Sequence, residues 1–199
     1  MASIAERDLT TRRLRRVEYD RLVECGMFQG ERLELLDGLL VVREPQKSPH
    51  ASTVVQVGQV LAAAFGPGWH ARTQLPLALD DSSEPEPDVA IVPGVPFDYV
   101  DAHPTTAPLV VEVADSSLRL DRRFKTGLYA RAGLQEYWIV NLVDEVLEVH
   151  RDPQPAPAAE FGAVYRDVAR LGRSKSVTPL AAPQARIPVA DLLPPAQTV

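Results

Sequence analysis

The chain has 199 residues, 45% of them hydrophobic, a formal net charge of -6 and a single cysteine, Cys25. This is the size and apolar content of one globular domain with a real core, and the acidic balance argues against a protein built to coat nucleic acid, because phosphate neutralisation needs lysine and arginine. No run approaches the roughly 20 apolar residues that span a bilayer and none follows the early arginines, so a soluble cytoplasmic protein with no membrane partner is expected, and the lone cysteine, expected in the core or in a helix, forms no internal disulfide.

Residues 1–16 are polar and arginine-rich (Arg7, Arg12, Arg13, Arg15, Arg16) and read as a flexible basic arm ahead of a single domain spanning 17–199. From Val17 to Met27 apolar residues recur at helical spacing, with Gly26 near the end, which predicts a short helix. In "RLELLDGLLVVRE" the pair Asp37-Gly38 is a two-residue turn signal between two β-prone runs, a hairpin. Ser48 reads as an N-cap and Pro49 as the first position of a helix running to about Phe65. After "GPGW" breaks it, "HARTQLPLAL" alternates as a strand and "PDVAIV" is the next. "APLVVEVA" is nearly all apolar, as expected of a strand covered on both faces, and Glu112 is its only charge.

Between Asp121 and Ala132, Phe124, Leu128 and Ala132 fall at four-residue steps, predicting a helix that packs this side on the sheet and ends at Gly133. "EYWIVNLVDEVLEVHR" reads as two strands joined around Val143-Asp144, in which Tyr137 and Trp138 are packing residues. "PQPAPAA" reads as a loop, the tail from Phe161 as edge strands, and "IPVADLLP" as a short closing element. The element order gives a mixed α/β or α+β sheet domain.

Two acidic residues carry the chemistry. Along a strand, Asp88, Ala90 and Val92 share one face; in the later strand Val110, Glu112 and Ala114 do. A glutamate in the middle of an apolar strand is costly when buried and unpaired, so it must reach water, a cation or a metal. If the two strands are neighbours, Asp88 and Glu112 converge, and two carboxylates completed by waters and a substrate phosphate suit Mg²⁺. Such a site hydrolyses phosphodiesters, and it calls for a lysine to orient the water or stabilise developing charge, for which Lys125 is the candidate. Asp88 also reads simply as a turn aspartate after proline, and Lys125 as a solvated partner of Asp121 one helical turn earlier. The acidic block Asp80, Asp81, Glu84, Glu86, Asp88 and the basic block Arg119, Arg122, Arg123, Lys125, Arg131 fit a metal-binding edge beside a phosphate-binding edge, or two unrelated solvated segments. Ser116 and Ser117 lack a nucleophile elbow and read as capping residues. There is no zinc spacing and no phosphate-cradling glycine loop.

The segments "RLELLDGLLV", "SPHASTVVQVGQVL", "PDVAIV", "PLVVEVADSS" and "DRRFKTGLYARAGLQEYWIVN", in this order between about Val17 and Arg151, resemble the Uma-type restriction-endonuclease family within the PD-(D/E)XK nuclease superfamily. The resemblance implies a restriction-endonuclease-like fold, a mixed β-sheet core flanked by helices, and a metal-dependent endonuclease acting on DNA with Mg²⁺, for which Mn²⁺ can substitute. It makes Asp88 the motif aspartate and Glu112 the second acid, both on the metal. The superfamily pattern puts the lysine at position 114, which is Ala114 here, so either Lys125 has taken over its role or the site is impaired. Glu34 in "ELLDG" is implied as a further active-site carboxylate and also reads as a hairpin residue paired with Arg32. The resemblance also makes His50 a candidate phosphate contact, and by position Gln74 and Tyr129, one turn beyond Lys125, are further candidate substrate contacts; His50 also reads as a first-turn surface residue and Gln74 as an exposed strand position. A homodimer is implied by family habit, with two sites for two strands. Sequence specificity is expected from loops such as Pro93 to Pro108. Two other readings keep the fold: a non-catalytic nucleic-acid-binding or interaction protein, and a metal-dependent hydrolase of small phosphate esters.

Overall fold

The computed structural model of the protein describes residues 11–196. Six strands form its central sheet: β3 (Trp69–Thr73), β4 (Val89–Pro93), β5 (Leu109–Ala114), β6 (Glu136–Asn141), β7 (Val146–Pro155) and β8 (Ala163–Gly172), hydrogen-bonded in that spatial order. Only β5 and β6 run parallel; all other neighbours are antiparallel. The parallel pair requires a crossover, and the chain supplies it as α3 (Leu118–Leu120), a π-helical turn (Asp121–Lys125) and α4 (Thr126–Arg131).

The helix α1 (Arg16–Glu24) leads into the hairpin β1 (Leu33–Leu36) and β2 (Leu39–Val42), which turns at Asp37-Gly38 as its sequence demands. Gly38 has φ +78°, and a Cβ there would lie 2.5 Å from Arg13 Cβ, because the incoming chain crosses the turn: the Leu14 amide donates to the Gly38 carbonyl at 3.0 Å. The described part of the predicted arm is therefore tied to the body, with Arg13 Nη1 on the Asp37 carboxylate at 2.6 Å. Residues 1–10 of that arm lie outside the described residues. Cys25 is exposed at the end of α1, not in the core.

Alternation along the strands divides the sheet into two faces. One buries Val89, Ile91, Val111, Val113, Trp138 and Val140 beneath α2 (Ser48–Phe65) and the C-terminal segment. The other buries Ala90, Val110, Ala114, Tyr137 and Ile139 beneath α4. Glu136 is fully buried and locks the C-terminal segment down: its carboxylate accepts from Trp138 Nε1 at 2.9 Å, Arg151 Nε at 2.9 Å and the Leu180 amide at 2.7 Å.

Several boundaries differ from the sequence expectation. The N-cap of α2 is Lys47, so Ser48 and Pro49 are its first two helical residues, and no side chain caps it. The strand expected through "HARTQLPLAL" stops at Thr73, because Gln74 takes φ +53°. "PQP" is not loop but the end of β7, paired with β8 as far as Pro155. The stripe Phe124–Leu128–Ala132 does not lie mainly on the sheet. Phe124 and Leu128 pack with Leu36 of the hairpin and Phe161, placing the crossover between hairpin and sheet.

Candidate active site

A cleft of 520 Å³ opens between the hairpin, the start of α2 and the crossover. Its floor is the end of the β4–β5 pair. Val89 faces Val111 in the antiparallel register, which sets Asp88 beside Glu112 on the α4 face of the sheet. The two carboxylates interlock with backbone: Asp88 Oδ2 accepts from the Val113 amide at 2.9 Å, and the Asp88 amide approaches Glu112 Oε2 at 3.4 Å.

The crossover brings the other side chains down. Asp121, Lys125 and Tyr129 sit at four-residue steps, a stripe that faces the sheet while Phe124 and Leu128 face the hairpin. Lys125 Nζ donates to Glu112 Oε1 at 3.0 Å and lies 3.2 Å from Glu34 Oε1, which β1 projects from the other side. Tyr129 Oη donates to the same Glu112 oxygen at 2.8 Å. Glu34 does not pair with Arg32: its second oxygen accepts from the Glu86 amide at 3.1 Å. Lys125 forms no ion pair with Asp121, whose carboxylate instead accepts from Ser117 Oγ at 2.6 Å.

Of the three expected substrate contacts, Gln74 and His50 converge on Asp88, whereas Tyr129 meets Glu112. Gln74, in its left-handed conformation, donates from Nε2 to Asp88 Oδ1 at 3.0 Å. That backbone geometry is uncommon for a residue other than glycine and here aims the amide at the site. His50, in the first turn of α2, places Nε2 3.4 Å from Asp88 Oδ2.

Charge explains the protonation states. Burial would raise the Asp88 carboxyl, but hydrogen bonds from His50, Gln74 and the Val113 amide hold it below its ordinary value. Glu112 is pushed up, first by burial, against the pull of Lys125 and with the help of the neighbouring acids. Burial would lower Lys125, yet Glu112 and Glu34 outweigh it and keep the amine charged. Burial lifts Asp121 as well, against the pull of Lys125.

Sequence reasoning missed two members of this cluster. Asp121 is buried and lines the cleft, and its signal was present in the spacing 121, 125, 129. Arg43 also lines the cleft, 2.7 Å from Glu86 and 3.5 Å from Asp88 Oδ1, and no local pattern marks it. The loop Pro93 to Pro108 contributes no residue to the cleft, whose rim is instead the segment 44–47 and the turn at Ser116 and Ser117. The basic block is only in part neutralised: Arg122 pairs with Glu148 and Asp144, Arg131 with Asp37 and Asp80, and Lys125 with Glu34 and Glu112, while Arg119 and Arg123 are exposed and in no ion pair among the described residues.

Among the described residues, no three His, Cys, Asp or Glu side chains are already grouped to hold a metal ion, and no helix is long and apolar enough to cross a membrane. The donor set nevertheless suits a hard cation. Glu34, Asp88, Glu112 and Asp121 are four buried carboxylates facing two permanent cations, Lys125 and Arg43, and Glu112 Oε2 has only one long contact.

Three comparisons with known proteins bear on this arrangement. The model of a family named Uma2 and described as "Putative restriction endonuclease" matches residues 16–183. A crystal structure described as a putative nuclease belonging to DUF820, from Anabaena variabilis ATCC 29413, superimposes with a TM-score of 0.60 at 13% identity, covering 80% of this chain and 88% of that one. No curated protein matches the sequence.

Proposed function

The chain belongs to the Uma2 family of restriction-endonuclease-like nucleases, and on that footing we propose that it hydrolyses DNA phosphodiester bonds as a divalent-metal-dependent endonuclease with a PD-(D/E)XK-type site. The observation that carries the reading is the buried cluster of Asp88, Glu112 and Lys125 at the floor of an open cleft, with Lys125 Nζ 3.0 Å from Glu112. Position 114 on the strand is a buried alanine, and the helix supplies an amine instead. That contact favours a working site over an impaired one.

Asp88 and Glu112 are the residues that would hold Mg²⁺, or Mn²⁺ in its place, and waters and phosphate oxygens would fill the remaining positions, as is usual for this ion. The ion would supply Lewis-acid polarisation of the phosphate and acidification of water. Gln74 and the Val113 amide fix the Asp88 carboxylate, and Tyr129 fixes Glu112. Lys125, kept protonated by Glu112 and Glu34, donates hydrogen bonds to the attacking water or the developing negative charge; it does not abstract a proton. His50 is drawn toward its charged form by Asp88, against burial, and stands where a phosphate entering past α2 would meet it. A homodimer would bring a second such site to the opposite strand.

The test is cleavage of supercoiled plasmid in Mg²⁺ by wild type and Glu112→Gln. Wild type is expected to nick and linearise the plasmid, and Glu112→Gln to lose at least about 10³-fold in rate while still unfolding cooperatively well above the assay temperature. Equal cleavage by both contradicts the assignment of Glu112. Turnover of a small phosphodiester without plasmid cleavage would point to a small-ester hydrolase, and duplex binding without either activity to the non-catalytic reading.

A further inference from the structure

Two cations at the cleft each stand between two acids. Lys125 lies between Glu34 and Glu112, at 3.2 and 3.0 Å. Arg43 lies between Glu86 and Asp88, at 2.7 and 3.5 Å. The first pair belongs to the site just described. The second is unassigned, and it touches the aspartate on which that site depends.

Arg43 is held in place by more than its ion pairs. Its amide donates to the Arg32 carbonyl at 2.8 Å, extending the hairpin ladder one step past β2, so the side chain leaves a fixed backbone. The side chain is only 10% exposed, yet it lines the cleft. Burial alone would lower its pKa, but the fields of Glu34, Glu112 and Asp88 and the Glu86 hydrogen bond raise it. The contacts to Glu86 and Asp88 use one N–H on each terminal nitrogen, and a guanidinium carries five N–H donors in a flat fork that matches phosphate oxygens. A fixed positive charge beside Asp88, lining an open cleft and with donors to spare, has the charge and reach of a cation that bridges protein carboxylate and substrate phosphate.

We propose that Arg43 takes the place beside Asp88 that a second divalent ion would occupy, so that the site holds one divalent ion and Arg43 itself contacts the phosphate being cut. This rests on the nuclease reading above. An arginine cannot be displaced by a chelator and does not lose its charge at any working pH. Without it, buried Asp88 and half-buried Glu86 lose the cation between them, and a buried acid stripped of its partner attracts a cation from solution.

Calorimetric titration with Mn²⁺ alone, together with plasmid cleavage in Mg²⁺, tests this on wild type, Arg43→Met and Arg43→Lys. Wild type is expected to bind one Mn²⁺ per chain, Arg43→Met two, and Arg43→Lys one. The kcat for cleavage should fall about 10²-fold in Arg43→Met and at least about tenfold in Arg43→Lys, whose point charge cannot fork between carboxylate and phosphate. Two ions on wild type, one ion on Arg43→Met, or an unchanged kcat in Arg43→Met overturns the proposal while leaving the nuclease reading intact. If Arg43→Met fails to fold, Arg43→Lys decides: lowered kcat with one ion supports the proposal, unchanged kcat overturns it. Wild type that neither binds Mn²⁺ nor cleaves overturns the nuclease reading and this proposal with it.

Discussion

Lys125 is only 4% exposed, and it stays charged because two carboxylates surround it. A single residue whose burial lacks such compensation is His150. It is buried on β7 between the rings of Tyr137 and Tyr165, at 5.5 and 5.9 Å, and neither ring nitrogen has a hydrogen-bond partner among the described residues. Burial pushes its pKa down to about 4, against the pull of Glu148 and with a small push from Arg122. The folded value lies below the unfolded one, so His150 is neutral in the fold, and stability is lost as pH falls from about 6.5 toward 4. Between pH 8 and pH 5 the wild type should lose about 2 kcal/mol more than His150→Leu, measured by urea unfolding at each pH. Parallel losses in the two proteins would contradict a buried, unpartnered imidazole. At this scale the sequence was partly legible: Glu112 stood out as the one charge in an apolar strand, because burying it demands a partner. Arg43 did not, because its partners Glu86 and Asp88 are far from it along the chain.

Among elements, the crossover decides the most. A π-helical turn at Asp121–Lys125 precedes α4 and sets its polar stripe over the sheet, while the apolar stripe packs on the hairpin and Phe161. Helical periodicity found both stripes without revealing which of two surfaces each would meet. The expected strand through Gln74 failed for a related reason: a left-handed residue that serves Asp88 is invisible to an alternation rule. The approach of α4 to Phe161 is close enough to test. A Cβ on Gly127 would lie 2.6 Å from the Phe161 ring. Alanine gains about 1 kcal/mol of helix propensity over glycine, while overpacking a core contact costs about 1–3 kcal/mol. Gly127→Ala should therefore be net destabilising by about 1 kcal/mol in urea unfolding. A variant more stable than wild type would show that the ring gives way at no cost.

For the whole molecule, the net charge of -6 and the partly paired basic block limit how the proposed DNA substrate can be held. Arg122, Arg131, Arg151 and Arg170 are paired with acids of the same chain, whereas Arg119 and Arg123 on the crossover are exposed and in no ion pair among the described residues. In the proposed reading, Lys47, His50 and Arg43 line the cleft itself, each beside an acid, and Arg119 and Arg123 stand on the crossover that walls it. The mixed sheet with crossover was legible in the order of runs, since a buried strand followed by a helix and another buried strand calls for a parallel pair. The position of the hairpin over the crossover was not, because nothing local in "RLELLDG" says that Glu34 will reach across to Lys125. In the proposed mechanism Asp88 and Glu112 form one divalent-cation site. Titration calorimetry with Mn²⁺ on wild type and Asp88→Ala, repeated with a non-hydrolysable DNA duplex present, addresses it without depending on the target sequence. Saturable binding to wild type that Asp88→Ala abolishes is the predicted result; no binding to wild type under either condition, or equal binding to both proteins, would contradict it.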